Sequence, residues 1–363
     1  MLPYIVLIVL PAIIWIFNNK LRVNVGDFTL HKTESLSLDV FMIIFLFMLA
    51  FRGLYCGIDT VQYLRLFNKY TTTSIGFLFE DNSHEFGYKI LNKFTGILGG
   101  DFQSLIIITS LICVIPIWYF YKKESENFLL TIVLFMSVSP FVMFFSGIRQ
   151  AMAMAIGVFS WYAAKHKKLI WFIAVVLLAI QFHTSAFVLF VIYPLYHAKI
   201  TKKWLWFVIP CMLVVYYFRD AIFGVLMTFL WKEYNFTSET GAYMVLLLLI
   251  MFAVYSYVMV REDSLDQDTV ALRNLLLLSV VLQIFAMLHP LSMRINYYFL
   301  IFVPVLIPKI VKNCKKEFET IAKISVAVMI LYFSYYFIDN MVTDNDPLNV
   351  FPYIPFWENN YIS

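Results

Sequence analysis

Phe144-Phe145-Ser146-Gly147-Ile148-Arg149-Gln150-Ala151-Met152-Ala153-Met154-Ala155-Ile156-Gly157 reads as a polar turn that opens into a run of small apolar residues. Arg149 falls in the first turn of the helix that this run predicts. Free backbone N–H groups and the positive end of the helix dipole favour an anion there. Ala153 and Gly157 lie four positions apart, a spacing that lets a neighbouring helix approach closely, so this helix is expected at the centre of a membrane bundle.

The surrounding chain repeats the apolar pattern. Of its 363 residues 62% are hydrophobic and 14% charged. A soluble chain would carry roughly 25% charged residues, so much of this apolar surface must face lipid. Runs near residues 2–17, 37–54, 102–121, 127–145, 149–164, 169–181, 184–197, 204–218, 241–260, 270–288, 294–311 and 319–338 predict an all-α, polytopic transmembrane helix bundle of about twelve spans. The two runs flanking His183 are short and read as tilted half-helices or as one re-entrant pair. The first run lacks the basic start and cleavage site of a signal peptide and is expected to stay as a span. Residues 1–363 are expected to form a single integral membrane domain, with extracytoplasmic segments at 55–101, 219–240 and 339–363.

Basic residues set the orientation. Lys20, Arg22, Lys32, Lys122, Lys123, Lys165, Lys167, Lys168, Lys199, Lys202, Lys203, Arg261, Lys309, Lys312, Lys315 and Lys316 alternate into one compartment, the cytoplasmic one by the positive-inside rule. Arg52, Arg65, Lys69, Lys89, Lys93, Arg149, Arg219, Lys232 and Arg294 fall on the other side, although its loops are longer. Both termini are then extracytoplasmic. Five arginines on the side where arginine is normally scarce call for another reason, such as an anionic ligand. Arg219-Asp220 reads as a local pair.

The long segment 55–101 holds Asp59-Thr60-Val61-Gln62-Tyr63 and His84-Glu85-Phe86-Gly87-Tyr88-Lys89. Asp59 is placed to cap a turn that puts Gln62 and Tyr63 on one face, while Glu85, Tyr88, Lys89 and Asn92 share a helical face. Leu64, Phe67, Ile90, Leu91 and Phe94 would turn toward lipid or protein, as in an interfacial amphipathic helix. Further on, Gln181-Phe182-His183-Thr184-Ser185 interrupts two apolar runs, and Met293-Arg294-Ile295-Asn296-Tyr297-Tyr298-Phe299 returns an arginine to the head of a span. A lone membrane histidine is often only packed. Here it coincides with a chain break and polar neighbours.

Taken in order, an arginine before Asp59-Thr60 and Tyr63, then Glu85-x-Gly87-Tyr88, Ser146-Gly147-Ile148-Arg149-Gln150, Phe182-His183-Thr184-Ser185-Ala186 and Arg294-x-Asn296-Tyr297-Tyr298-Phe299, resemble the EpsG-like branch of Wzy-type polysaccharide polymerases. The resemblance extends from Arg52 into a tail rich in Asn, Pro, Tyr and Trp. It implies a GT-C-like architecture and a bacterial inner-membrane glycosyltransferase that polymerises O-antigen or capsule repeat units carried on undecaprenyl pyrophosphate. The expected partners are that lipid-linked donor and acceptor, membrane lipids and a chain-length regulator.

In such a reaction Arg149 and Arg294, with Gln150, would hold the pyrophosphate, and Arg52 and Arg65 would support them. The base comes from His183, Glu85 or Asp59, in that order, and Tyr63, Tyr88 and Tyr297 offer ring faces to sugars. Cys56, Cys113, Cys211 and Cys314 are too scattered for a disulfide framework or a metal site. Neither a metal nor a cofactor is expected, and no basic, aromatic-interleaved soluble segment speaks for nucleic acid. Two other functions remain open: a flippase for lipid-linked oligosaccharide, which would place its polar residues near the midplane, and an O-antigen ligase, which differs only in its acceptor. An acyltransferase would have little use for several phosphate-binding arginines.

Overall fold

Residues 2–20, 35–138, 140–230, 241–342 and 348–358 are described by the computed structural model. Arg22, Lys32 and Lys232, together with loop residues 231–240 and tail residues 343–347 and 359–363, lie outside the described residues. The described residues are helical, with no strand and two isolated β-bridges, Arg52 to Pro355 and Val260 to Cys314.

Helices Leu2–Lys20, Leu36–Ala50, Phe102–Glu124, Ile148–Lys165, Leu169–Ile180, Gly241–Val258, Gln267–Ala286 and Glu319–Val342 follow predicted runs. Other runs are broken. Pro140 cannot donate a helical hydrogen bond, and the run 127–145 divides into Phe128–Ser137 and Met143–Ser146. The run 294–311 becomes Pro290–Leu300 and Val303–Lys312, bent by 49°. The segment expected as a loop from Arg219 begins instead as helix Arg219–Leu230, whose first residues stand at 74° to the helix before it.

Phe102–Glu124 and Gln267–Ala286 are long and apolar enough to cross a membrane, and the bent pairs raise the candidates to four. Six further apolar helices are shorter, at 10–17 residues. A helix of 12 residues such as Leu169–Ile180 spans only about 18 Å of the roughly 30 Å hydrocarbon layer. The described residues are thus all-helical, with two to four candidate spans by length and composition; about twelve spans is not confirmed, and six of the predicted apolar runs form helices of only 10–17 residues.

Helix Ile148–Lys165 occupies the centre, as its small residues predict. Ala151, Met152, Ala153 and Ala155 are fully buried, and the helix packs against Leu169–Ile180, Phe102–Glu124, Thr184–Val191 and Ile192–His197. A β-carbon placed on Gly157 would come within 2.6 Å of Leu189 Cδ1. Lipid is as apolar as a leucine side chain, so this close fit, rather than transfer out of water, drives the association. Beside it Phe45 stacks on Phe141 at 5.1 Å and meets Phe135, Phe144 and Phe145 edge-on.

Charges collect at the two ends of this helix. Lys165, at its C-terminal end, pairs with Asp268 and lies 3.6 Å from Glu124; Lys122 with Asp39 and Lys312 with Glu126 continue that group. Arg149 stands sixteen positions earlier, roughly 24 Å away along the axis. At the Arg149 end the tail folds back over the bundle: Gly57 N–H donates to Asn349 O at 2.8 Å, Ile58 N–H to Leu348 O at 2.8 Å and Tyr4 Oη–H to Val350 O at 2.7 Å.

Gly57 is required at this crossing. Its φ is +99°, and a β-carbon there would sit 2.2 Å from Phe145 O. Gly57→Ala is expected to destabilise the protein by about 2 kcal/mol or more, whereas Gly224→Ala, with open space around that position, should leave stability unchanged or slightly raised. Thermal unfolding of the two detergent-solubilised variants checks this, and equal midpoints would refute the close approach.

Candidate functional site

Three short helices, Thr60–Thr72, Ile75–Glu80 and Phe86–Ile97, make up most of the segment 55–101. Lysines staple them together. Lys89 Nζ, buried, donates to Leu78 O at 2.6 Å and to Asp81 O; Lys93 Nζ reaches Thr71 O and Thr73 O; Lys69 pairs with Asp81 at 2.7 Å. These cations are consumed by the loop's own architecture.

The assembled loop is docked on the break at Gln181-Phe182-His183. Tyr88 N–H donates to Gln181 O at 3.2 Å, and a β-carbon on Gly87 would lie 2.8 Å from both Gln181 O and Gln181 Cβ. Only glycine allows this contact. It delivers Glu85, the residue before helix Phe86–Ile97, to the head of the central helix.

There Arg149 Nη1 lies 2.5 Å from Glu85 Oε2. The other oxygen, Oε1, accepts from Thr184 N–H at 3.0 Å and from the Thr184 hydroxyl at 3.2 Å. His183 Nδ1 faces the same oxygen at 3.2 Å, close enough to act on its charge without completing a hydrogen bond. Arg149 also lies 5.8 Å above the Tyr88 ring, and Tyr88 meets Tyr63 edge-on at 5.9 Å. Burial would raise the Glu85 carboxyl, but the His183 contact, the Arg149 charge and the Thr184 N–H together hold it well below the usual carboxylate range. Burial pushes the Tyr63 hydroxyl upward, against the opposing pull of Arg149.

A second arginine helix abuts the first. Gln150 Nε2 donates to the backbone carbonyl of Arg294. Helix Pro290–Leu300 is capped by His289, whose Nδ1 accepts from Leu291 N–H at 3.1 Å, with Pro290 in its first turn. Asn296 Nδ2 donates to Ser279 O at 3.1 Å and Gln283 Oε1 at 2.9 Å, while Tyr298 Oη and Ser185 Oγ meet at 3.0 Å. Two members of the Arg294 motif therefore anchor the helix. Arg294 itself is exposed, without an ion-pair partner among the described residues.

Several sequence expectations change. Arg52 is buried, donates to Leu49 O at 3.2 Å and is bridged to Pro355 of the tail, with no ion pair to Glu85 among the described residues. Arg65 is exposed on the outer face of Thr60–Thr72. Asp59 accepts from Ser146 Oγ at 3.3 Å instead of capping its helix, and Gln62 is exposed while Tyr63 is buried, so they do not share a face. Tyr63 and Tyr88 are both buried and present no ring face to a ligand; Tyr297 is half-buried. Glu85, with both oxygens engaged and its charge stabilised, is a poor proton acceptor in this arrangement. Arg219 does pair locally, at 3.9 Å from Asp220.

Sequence reasoning missed the Thr184 backbone donor, the Ser185–Tyr298 link and Arg273, which is buried against Glu262 and the Tyr257 ring at the Lys165 end. An open cavity of about 730 Å³ also lies at that end, lined by Lys165, Lys167, His197 and Lys199. Its lining shares no residue with the Glu85 cluster, and a lysine-lined face is common in membrane proteins.

The family model for the EpsG family matches residues 39–355, a stretch that takes in every element of the site. The chain belongs to the EpsG family. Comparisons with curated proteins and with solved structures find no match. EpsG-family proteins are Wzy-type polymerase-like, which makes this chain a membrane protein of the polysaccharide-polymerase type.

Arg149→Ala and Glu85→Gln should each cost about 3 kcal/mol in unfolding stability, since either strands a partly buried charge or its donors, and the double variant should cost much less than the sum. Folding depresses the Glu85 pKa, so its contribution is complete above the unfolded carboxylate range and is lost as pH falls toward the folded value. The stability gap between wild type and Glu85→Gln is expected to be flat from about pH 5 upward and to shrink below it. Denaturant unfolding across that range tests the sign; a gap that widens on acidification would sink the ion-pair assignment.

Proposed function

We propose that this protein polymerises undecaprenyl-pyrophosphate-linked oligosaccharide repeat units into O-antigen or a related surface polysaccharide, at the extracytoplasmic face of the bacterial inner membrane. The observation that supports it most directly is that Gln150, the residue after Arg149, bonds the backbone carbonyl of Arg294, while His183 lies against the Glu85 carboxylate that pairs with Arg149. In the reaction an acceptor sugar hydroxyl attacks the anomeric carbon of the donor. The bond from that carbon to the pyrophosphate oxygen breaks, the new glycosidic bond forms, and the hydroxyl proton passes to a base. Charge develops on the departing pyrophosphate, and fixed guanidinium groups meet it bidentately at any relevant pH.

Within this reading Arg294 is the exposed cation that first meets the pyrophosphate, and Arg149 lies deeper. His183 is the base: it is part-exposed and turns Nδ1 toward Glu85, which leaves Nε2 on the outward side of the ring. Arg65 remains an outer contact and Tyr297 a sugar contact, while Tyr63 and Tyr88 support Arg149. The bundle is read as GT-C-like, with both termini extracytoplasmic and a chain-length regulator as a further partner. A flippase would concentrate its charges near the midplane; here the ion pairs gather toward opposite ends of the central helix.

Deleting the gene in its native host and resolving the lipopolysaccharide by gel should leave core plus a single repeat unit. Core alone would point to a ligase or flippase instead. Arg149→Ala, at normal protein level, should lower chain extension at least roughly a hundredfold, and Arg149→Lys should restore little, because an ammonium group cannot reproduce the planar fork. A normal ladder in both variants would remove Arg149 from the mechanism.

A further inference from the structure

The donors around Glu85 form a general oxyanion site: a guanidinium, a backbone N–H and a hydroxyl converge on one carboxylate. The carboxylate does not exhaust them. Arg149 Nε is buried and has no hydrogen-bond partner among the described residues, and neither does His183 Nδ1. A carboxylate offers two oxygens, whereas a phosphate group offers three to be shared among the same donors. The site is therefore better matched in donor number to a phosphate than to the group that fills it.

We propose that Glu85 is an exchangeable internal anion, occupying the place of a substrate phosphate at Arg149 and Thr184 until the substrate displaces it together with the first turn of helix Phe86–Ile97. This rests on the reading that the site takes a pyrophosphate. Besides the contacts of Glu85 itself, the Tyr88 N–H to Gln181 O bond ties that turn to the break, and the buried Tyr88 ring, against Tyr63 and under Arg149, shifts with it. The Lys93 staple lies beyond the turn and survives the movement, while Lys89 keeps its bonds to Leu78 O and Asp81 O only if the neighbouring loop helix follows. Glu85 does not leave unprompted, because a lone departure would strand the Arg149 charge in a partly buried position. An incoming phosphate restores that charge balance and makes the exchange favourable. The closed loop thus keeps the arginine neutralised when no substrate is bound and yields to the anion that the site handles.

The test uses the full-length protein in detergent with inorganic pyrophosphate as probe, calorimetry for affinity and hydrogen exchange for the loop. Wild type should bind weakly, and Glu85→Gln roughly tenfold more tightly, since no internal competitor has to be displaced. Gly87→Ala keeps the carboxylate but forces a β-carbon against Gln181 O, and it should also bind more tightly than wild type. In wild type, saturating pyrophosphate should speed amide exchange over residues 85–92, and Arg149→Ala should abolish both the binding and this response. Arg149-dependent binding that is no tighter in Glu85→Gln, with exchange over 85–92 unchanged or slowed, would make Glu85 a permanent structural partner and overturn the exchange while leaving the phosphate site intact. If neither wild type nor Glu85→Gln binds pyrophosphate in an Arg149-dependent way, the phosphate reading falls and the exchange falls with it.

Discussion

A guanidinium at the head of a tightly packed helix needs a counter-charge, and for Arg149 the chain supplies one from 64 residues earlier. Much of the local architecture follows from bringing Glu85 that far. The carboxylate must enter through a narrow approach to the Gln181 backbone, hence Gly87; it must be held by a body of its own, hence three short helices stapled by lysines onto carbonyls. The break between the two short apolar helices then has a role. It exposes the Thr184 N–H, which no longer belongs to a helical ladder and so is free to bind the second carboxylate oxygen. Loop, break and central helix are joined at one oxyanion.

The central helix converts that junction into a property of the whole bundle. Its small residues let neighbours approach closely on several sides, and close approach fixes the heights of the residues at its ends. Gln150, one position after Arg149, reaches the Arg294 carbonyl, so the positions of the two arginine helices are coupled. At the other end Lys165 is similarly tied to Asp268. In a membrane, where apolar burial gives helices little reason to choose one neighbour over another, such packing and polar ties decide the arrangement.

How much of this was legible in the sequence varies with the range of the interaction. The helical class, the central position of 149–164 and the break at His183 all follow from local composition and spacing. The kinks did not follow, because hydropathy averages over Pro140 and over the bend after Leu300. Nor did the fates of individual polar residues. Arg52 looked like Arg149 in sequence, yet it is buried because a tail some three hundred residues away bridges it through Pro355. In sequence Tyr63 and Tyr88 look like ligand faces on an exposed loop. They are buried because that loop packs as a small body on the bundle, and short amphipathic helices do not reveal in sequence which face meets the protein and which meets lipid.

The outer face of the loop now bears on the depth of the site. Ile75, Phe79, Phe94, Ile97 and Leu98 are all more than half exposed, on helices whose other sides are stapled and docked. An apolar face of this kind is costly in water and natural against a lipid surface. A loop resting on the leaflet in that way would hold Glu85 and Arg149 near the level of the lipid phosphates. A polyprenyl pyrophosphate carries its own charge at the same level, anchored by its chain in the bilayer. On the proposed function, such a substrate would need no deep aqueous pocket to reach the arginines, since lateral movement in the leaflet would bring its phosphates to the height of the donors.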